Sequence, residues 1–112
     1  MGFTGSIIEN NTVRISSGET GSEFFISNGL VVVGLILPTM TSTAVSFKTF
    51  AGDGTTAIPV YMDDGTLYSA TIGSNRYVSL DLSVMNGLGS VQVVGGSTEG
   101  ADRDIILVTR PV

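Results

Sequence analysis

The sequence predicts an all-β fold, an antiparallel β-sandwich of jelly-roll-like form with about eight or nine short strands and at most one helical turn. Two observations predict it. Turn chemistry recurs at short intervals, as Ser17-Gly18, Asn28-Gly29, Gly52-Asp53-Gly54, Asp63-Asp64-Gly65, Gly73-Ser74-Asn75, Asn86-Gly87, Gly95-Gly96 and Gly100. Gly, Asn and Asp accept the positive φ angles that tight turns need. Between the turns lie short segments rich in Val, Ile, Phe, Thr and Tyr, residues that suit a pleated, half-buried surface.

In chain order, the first strands are expected at 12–16 and 23–27. The run Leu30-Val31-Val32-Val33-Gly34-Leu35-Ile36-Leu37 is too apolar for a strand with one wet face. It reads either as a central strand of the packed sheet or as a strand whose outer face meets a second chain. At 44–50, Val45 and Phe47 fall opposite Ser46 and Lys48, and the alternation slips at Phe50. Strands at 58–62 and 68–72 flank the Asp63-Asp64-Gly65 turn. At 77–80, Val78 and Leu80 share one face, opposite Tyr77 and Ser79; such period-two patterns fit antiparallel strands with one face inside. A single helical turn is expected at 81–87, with Asp81 as N-cap and Gly87 as its stop. Strands at 90–94 and 105–110 complete the set. The first dozen residues, with Asn10-Asn11 and few large apolar side chains, read as a flexible N-terminal arm, 1–12, before a single sandwich domain, 13–112.

A chain of 112 residues is one domain's length. It is 42% hydrophobic and only 13% charged, with a mean hydropathy of +0.39, so it has ample apolar surface to bury and an unusually neutral exterior. That exterior reads as contact surface. The net charge is -5, and the five basic residues, Arg14, Lys48, Arg76, Arg103 and Arg110, stand singly. A phosphate backbone needs several cations on one face, so no nucleic-acid partner is expected, and no basic membrane patch either. The longest apolar run, 30–37, falls short of the roughly 20 residues that span a bilayer. Met1-Gly2-Phe3-Thr4-Gly5 lacks the basic and apolar regions of a signal peptide. A soluble protein made in a cytoplasm is the expectation.

The chemistry-bearing residues point away from catalysis. Asp53, Asp63 and Asp64 could pair as hydrolytic carboxylates or bind calcium, but Asp53-Gly54 and Asp64-Gly65 are hairpin-turn chemistry and the calcium-loop spacing is absent. A serine nucleophile needs a base; the chain has no His, Lys48 is its one lysine, and no G-x-S-x-G elbow occurs. Without Cys, thiolate metal sites and disulfides are excluded. Gly87-Leu88-Gly89 precedes a strand, the wrong context for phosphate. Tyr61, Tyr68 and Tyr77 read as half-buried strand residues with hydroxyls at solvent, against an aromatic sugar platform. Asp102-Arg103-Asp104 reads as a solvated charge cluster at a loop end. No catalytic, cofactor-binding or metal-binding residue is assigned, and no enzyme activity is expected.

The succession Val60-Tyr61-Met62-Asp63-Asp64-Gly65-Thr66-Leu67-Tyr68, then Arg76-Tyr77-Val78-Ser79-Leu80-Asp81, then the run from Ala101 to Val112 resembles small structural proteins of tailed bacteriophages. The Val45-Ser46-Phe47 strand fits as well, and the resemblance covers roughly residues 30–112. The best characterised in kind are head-decoration proteins, also called cement or staple proteins. The resemblance implies a compact β-sandwich on the capsid exterior of the virion, made in the host bacterial cytoplasm and tying neighbouring major capsid protein subunits together. Its implied partners are the major capsid protein and other copies of itself. On that reading residues 1–12 act as an arm reaching a neighbour, roughly 30–40 Å if extended. The same fold would also serve a carbohydrate- or host-binding module of a fibre or tail, or a neck or tail adaptor.

Overall fold

The turn residues take up the backbone their chemistry permits. Asn28 and Gly29 both have positive φ, 50° and 82°, and the Leu30 N–H donates to the Ser27 carbonyl at 3.0 Å, closing a two-residue hairpin turn. The computed structural model describes residues 9–112. They form β1 (Glu9–Ile15), β2 (Phe25–Ile26), β3 (Leu30–Leu37), β4 (Ala44–Phe50), β5 (Ala57–Pro59), β6 (Ser69–Thr71), β7 (Arg76–Ser79), a single-turn helix α1 (Leu82–Met85), β8 (Ser90–Gly95) and β9 (Arg103–Pro111).

Two antiparallel sheets face each other. One has the order β1-β9-β3-β7; the other runs β2-β8-β4-β5, with β6 also paired to β4. Alternation sends Val13, Leu35, Ile105 and Leu107 inward from the first sheet, against Val45, Phe47, Val91 and Val93 of the second, and all are essentially solvent-free. The Phe47 ring stacks on Tyr68, with centroids 5.6 Å apart. Met85 of α1 closes one side of this core, and the turn that carries it is capped by Asp81, which accepts from the Ser83 N–H at 3.0 Å.

The apolar run 30–37 is a central strand. It lies between β9 and β7, and its register shifts at a bulge between Val32 and Gly34; Val31, Val32, Leu35 and Leu37 are buried. Its outer face is not bare at Gly34, because the Tyr77 ring lies directly across it. The slip in alternation at Phe50 also has a cause: Phe50 stacks on Phe24 at 3.9 Å, which covers it outside the main core.

Three expectations need correction. Residues 9–12 are not part of an arm: they belong to β1 and pair with Thr109, Val108, Leu107 and Ile106 of β9. The Asn11 amide donates to Thr109 Oγ1 at 3.2 Å. The rest of the arm, residues 1–8, lies outside the described residues. The strands expected at 58–62 and 68–72 shrink to three residues each, because β5 and β6 share one edge of β4. β5 occupies Lys48, Thr49 and Phe50, and β6 occupies Ala44, Val45 and Ser46. The 23–27 strand shrinks to two residues paired with Val91 and Ser90.

Candidate functional site

Because β5 and β6 share that edge, the chain between them leaves the sheet as a hairpin of its own. Tyr61 bridges Leu67, the Met62 N–H donates to the Thr66 carbonyl at 2.8 Å, and the Tyr68 N–H donates to the Val60 carbonyl at 3.0 Å. At the tip, Asp64 Oδ1 accepts from the Thr66 N–H at 2.9 Å and from its hydroxyl at 2.6 Å. Those two bonds, the hydroxyl foremost, lower the Asp64 pKa. The hairpin is tied to α1 by Tyr68, whose hydroxyl accepts from the Asp81 N–H at 2.9 Å.

Between hairpin and helix lies an open groove of about 510 Å³, floored by Val60, Val84 and Leu88 and rimmed by Asp63, Asp64 and Asp81. The carboxylates are thus partly brought together, but Asp53 is not among them. It sits in the β4–β5 turn, where its carboxylate takes the Thr56 hydroxyl and the N–H groups of Thr56 and Thr55, which hold its pKa at about 2. Asp53 and Asp64 are therefore turn-builders, as their Asp-Gly context implies. Among the described residues, no three acidic, His or Cys ligands converge closely enough to hold a metal ion.

The tyrosines divide. Tyr68 is buried with its hydroxyl engaged, whereas Tyr61 and Tyr77 are 57% and 53% exposed, more open than half-buried strand residues. They belong to a wider pattern. One edge of the first sheet is β7 and one edge of the second is β5 with β6, and the hairpin after β5 is tied by Tyr68 to the cap of α1, which follows β7. Around the hairpin, β5, β7 and α1, Ile58, Tyr61, Met62, Leu67, Tyr77 and Leu82 are all exposed; elsewhere among the described residues Ile26, Ile36 and Val112 are exposed as well. Exposed large apolar side chains of this kind are a feature that interaction surfaces share.

The residue that sequence reasoning missed is Glu99. It is 1% exposed, yet it accepts from the Thr41 N–H at 2.8 Å, the Ser42 N–H at 2.9 Å, the Ser42 hydroxyl at 2.6 Å and Arg103 Nε at 2.9 Å. Burial pushes its pKa up, but the Ser42 hydroxyl, the two backbone donors and the Arg103 guanidinium outweigh burial and hold it at about 2. This corrects the solvated-cluster reading of 102–104. Asp104 and Asp102 pair with Arg14 at 2.8 and 3.4 Å on the surface, while Arg103, with a side chain only 16% exposed, turns to Glu99. The cluster clamps the β8–β9 connection to the β3–β4 connection.

No protein-family model matches the chain, and no curated protein matches it. Among solved structures it is similar in fold to the SPBc2 prophage-derived protein YomS, at a TM-score of 0.54 and 16% sequence identity, over 92% of this chain and 95% of that one. At that identity the likeness is one of fold, and it runs nearly end to end through both sheets. The two-sheet sandwich of this chain is a fold that a prophage-derived protein also uses.

Proposed function

We propose that this chain is a non-enzymatic structural protein of a bacteriophage particle, a decoration protein on the head exterior that stabilises the shell by bridging major capsid subunits. The observation that carries the reading is the likeness of fold, over 92% of this chain, to a prophage-derived protein, which joins the sequence resemblance over residues 30–112. The exposed apolar residues around the hairpin support it, because cementing requires buried area and no chemistry, about 800 Å² per partner in a standard interface. A cement protein acts by mass action: it stabilises the state it binds. Modest affinity per contact becomes large when many copies act together.

The test is the copy number in purified particles, measured by quantitative mass spectrometry against the major capsid protein. The expected outcome is hundreds of copies, near parity with the capsid protein or a simple fraction of it. About a dozen or fewer would move the protein to the neck, tail or fibre. Absence from the particle would end the structural reading.

A second reading draws on Tyr61. An exposed aromatic ring beside an open groove rimmed by Asp63, Asp64 and Asp81 is an arrangement that can stack on a sugar while carboxylates accept from its hydroxyls. A glycan array showing binding that is lost in Tyr61→Ala would favour a host-binding module.

A further inference from the structure

The exposed apolar side carries more information than its position. Its frame is rigid: the hairpin is closed by the Tyr61–Leu67 bridge and locked by Asp64, and Tyr68 pins it to the capped helix. A surface held by such ties has less ordering cost on association. The charges set into it are of one sign. Asp63, Asp64 and Asp81 rim the groove, and no cation stands among the residues lining it. Arg76 is close in sequence to Tyr77 but folds back over Gly73 and donates to the Ser74 carbonyl.

The carboxylates are also incompletely used. Asp64 and Asp81 commit Oδ1 to their own turns, and no hydrogen bond to Oδ2 is made among the described residues. Asp63 likewise has no partner there. A neutral apolar surface closing over this rim would strand charged oxygens away from water, which costs far more than the apolar contact returns. A facing lysine or arginine would satisfy them.

We propose that this side of the sandwich docks a protein partner whose facing surface carries lysine or arginine among apolar side chains. The choice of a protein as partner rests on the virion reading above; the place and the charge of the surface do not. A second copy of this chain is a poor occupant. Paired about a two-fold axis it would bring the same three carboxylates to the same rim, on a molecule of net charge -5, and like charges facing each other are repulsive.

The experiment is a titration of the whole ¹⁵N-labelled chain, followed by amide shifts, with two synthetic peptides. One has the sequence Leu-Arg-Val-Arg-Leu, and in the other both arginines are replaced by glutamate. The expected result is movement of the Met62, Asp63, Val84 and Leu88 amides with the basic peptide alone. That binding should weaken about tenfold between low and high salt as the charges are screened, and severalfold in Asp63→Asn; Ile26→Ser on the far side should bind as wild type. Equal response to both peptides, shifts confined to the far side, or no response would overturn the proposal. So would a dimer in sedimentation that is lost in Leu67→Ser, which would make a second copy the occupant. Because the titration uses no particles, it can fail while the copy-number test succeeds, or succeed while that test fails.

Discussion

Ser42 and Glu99 meet hydroxyl to carboxylate at 2.6 Å, both almost wholly shielded from water, although they are 57 residues apart in the chain. The contact joins two connections that have no strand pairing to hold them. Replacing Glu99 by Ala leaves the Thr41 and Ser42 N–H groups and the Arg103 guanidinium without their acceptor. Breaking a buried pair from one side costs about 3–5 kcal/mol, and a loss of that size is expected in urea unfolding. A value under about 1 kcal/mol would mean that water replaces the carboxylate freely.

The same carboxylate sets a pH dependence. Its folded pKa, about 2, lies below the ordinary value of 4.5. A group depressed on folding contributes stability that is full above its unfolded pKa and is lost as pH falls through the folded one. Stability should therefore hold from neutrality to about pH 5 and decline between there and pH 2. Asp53, Asp64 and Asp104 are depressed as well and add to the decline with the same sign. Urea midpoints at neutral and acid pH check this, and Glu99→Gln should narrow the difference between them.

Tyr77 and Gly34 make a coupled pair. A Cβ at Gly34 would overlap the Tyr77 ring at Cε1, Cζ and Oη, so Gly34→Ala has to displace the ring from the β3–β7 pair. A cost of about 1–3 kcal/mol is expected, as for other overpacked sites. In a Tyr77→Ala background the same glycine change should cost much less. A double-mutant cycle with no interaction energy would show that the ring does not rest there in solution.

Tyr68→Phe tests the tie between hairpin and helix. It deletes the acceptor of the Asp81 N–H while keeping the ring on Phe47. A loss of about 1–2 kcal/mol is expected from the unpaired donor, with faster amide exchange concentrated in α1 and in residues 60–68. Uniform acceleration across both sheets would show that the tie is not local.

What the sequence made legible follows from which interactions are local. The central strands β3 and β4 were readable to the residue because their apolar runs and alternation are set by burial on each side of the chain itself. The Asp81 cap and the Asp53 and Asp64 turns were readable because a side chain bonds to backbone two or three residues away. β5 and β6 were overextended because nothing within either segment records that they must divide one edge of β4. The start of β1 was hidden for a similar reason: its partner lies some hundred residues on, in β9. Glu99 was silent because three of its four donors come from Thr41 and Ser42, 58 and 57 residues away, brought to it by the fold. The candidate surface was the least legible of all. Its tyrosines were visible, but that they gather on one side is a property of strand order.

The pairing of β1 with β9 has a mechanical side. Glu9 stands opposite Thr109, and six further pairs follow in register to Ile15 and Arg103. Tension applied at Glu9 and Thr109 would open that ladder one rung at a time, like a zipper. It would reach the Arg14 bridge to Asp102 and Asp104 only near the far end. A pull along the strands from opposite ends would instead load every rung at once. If the molecule bears load in a particle, it resists far better along its strands than at the Glu9–Thr109 end.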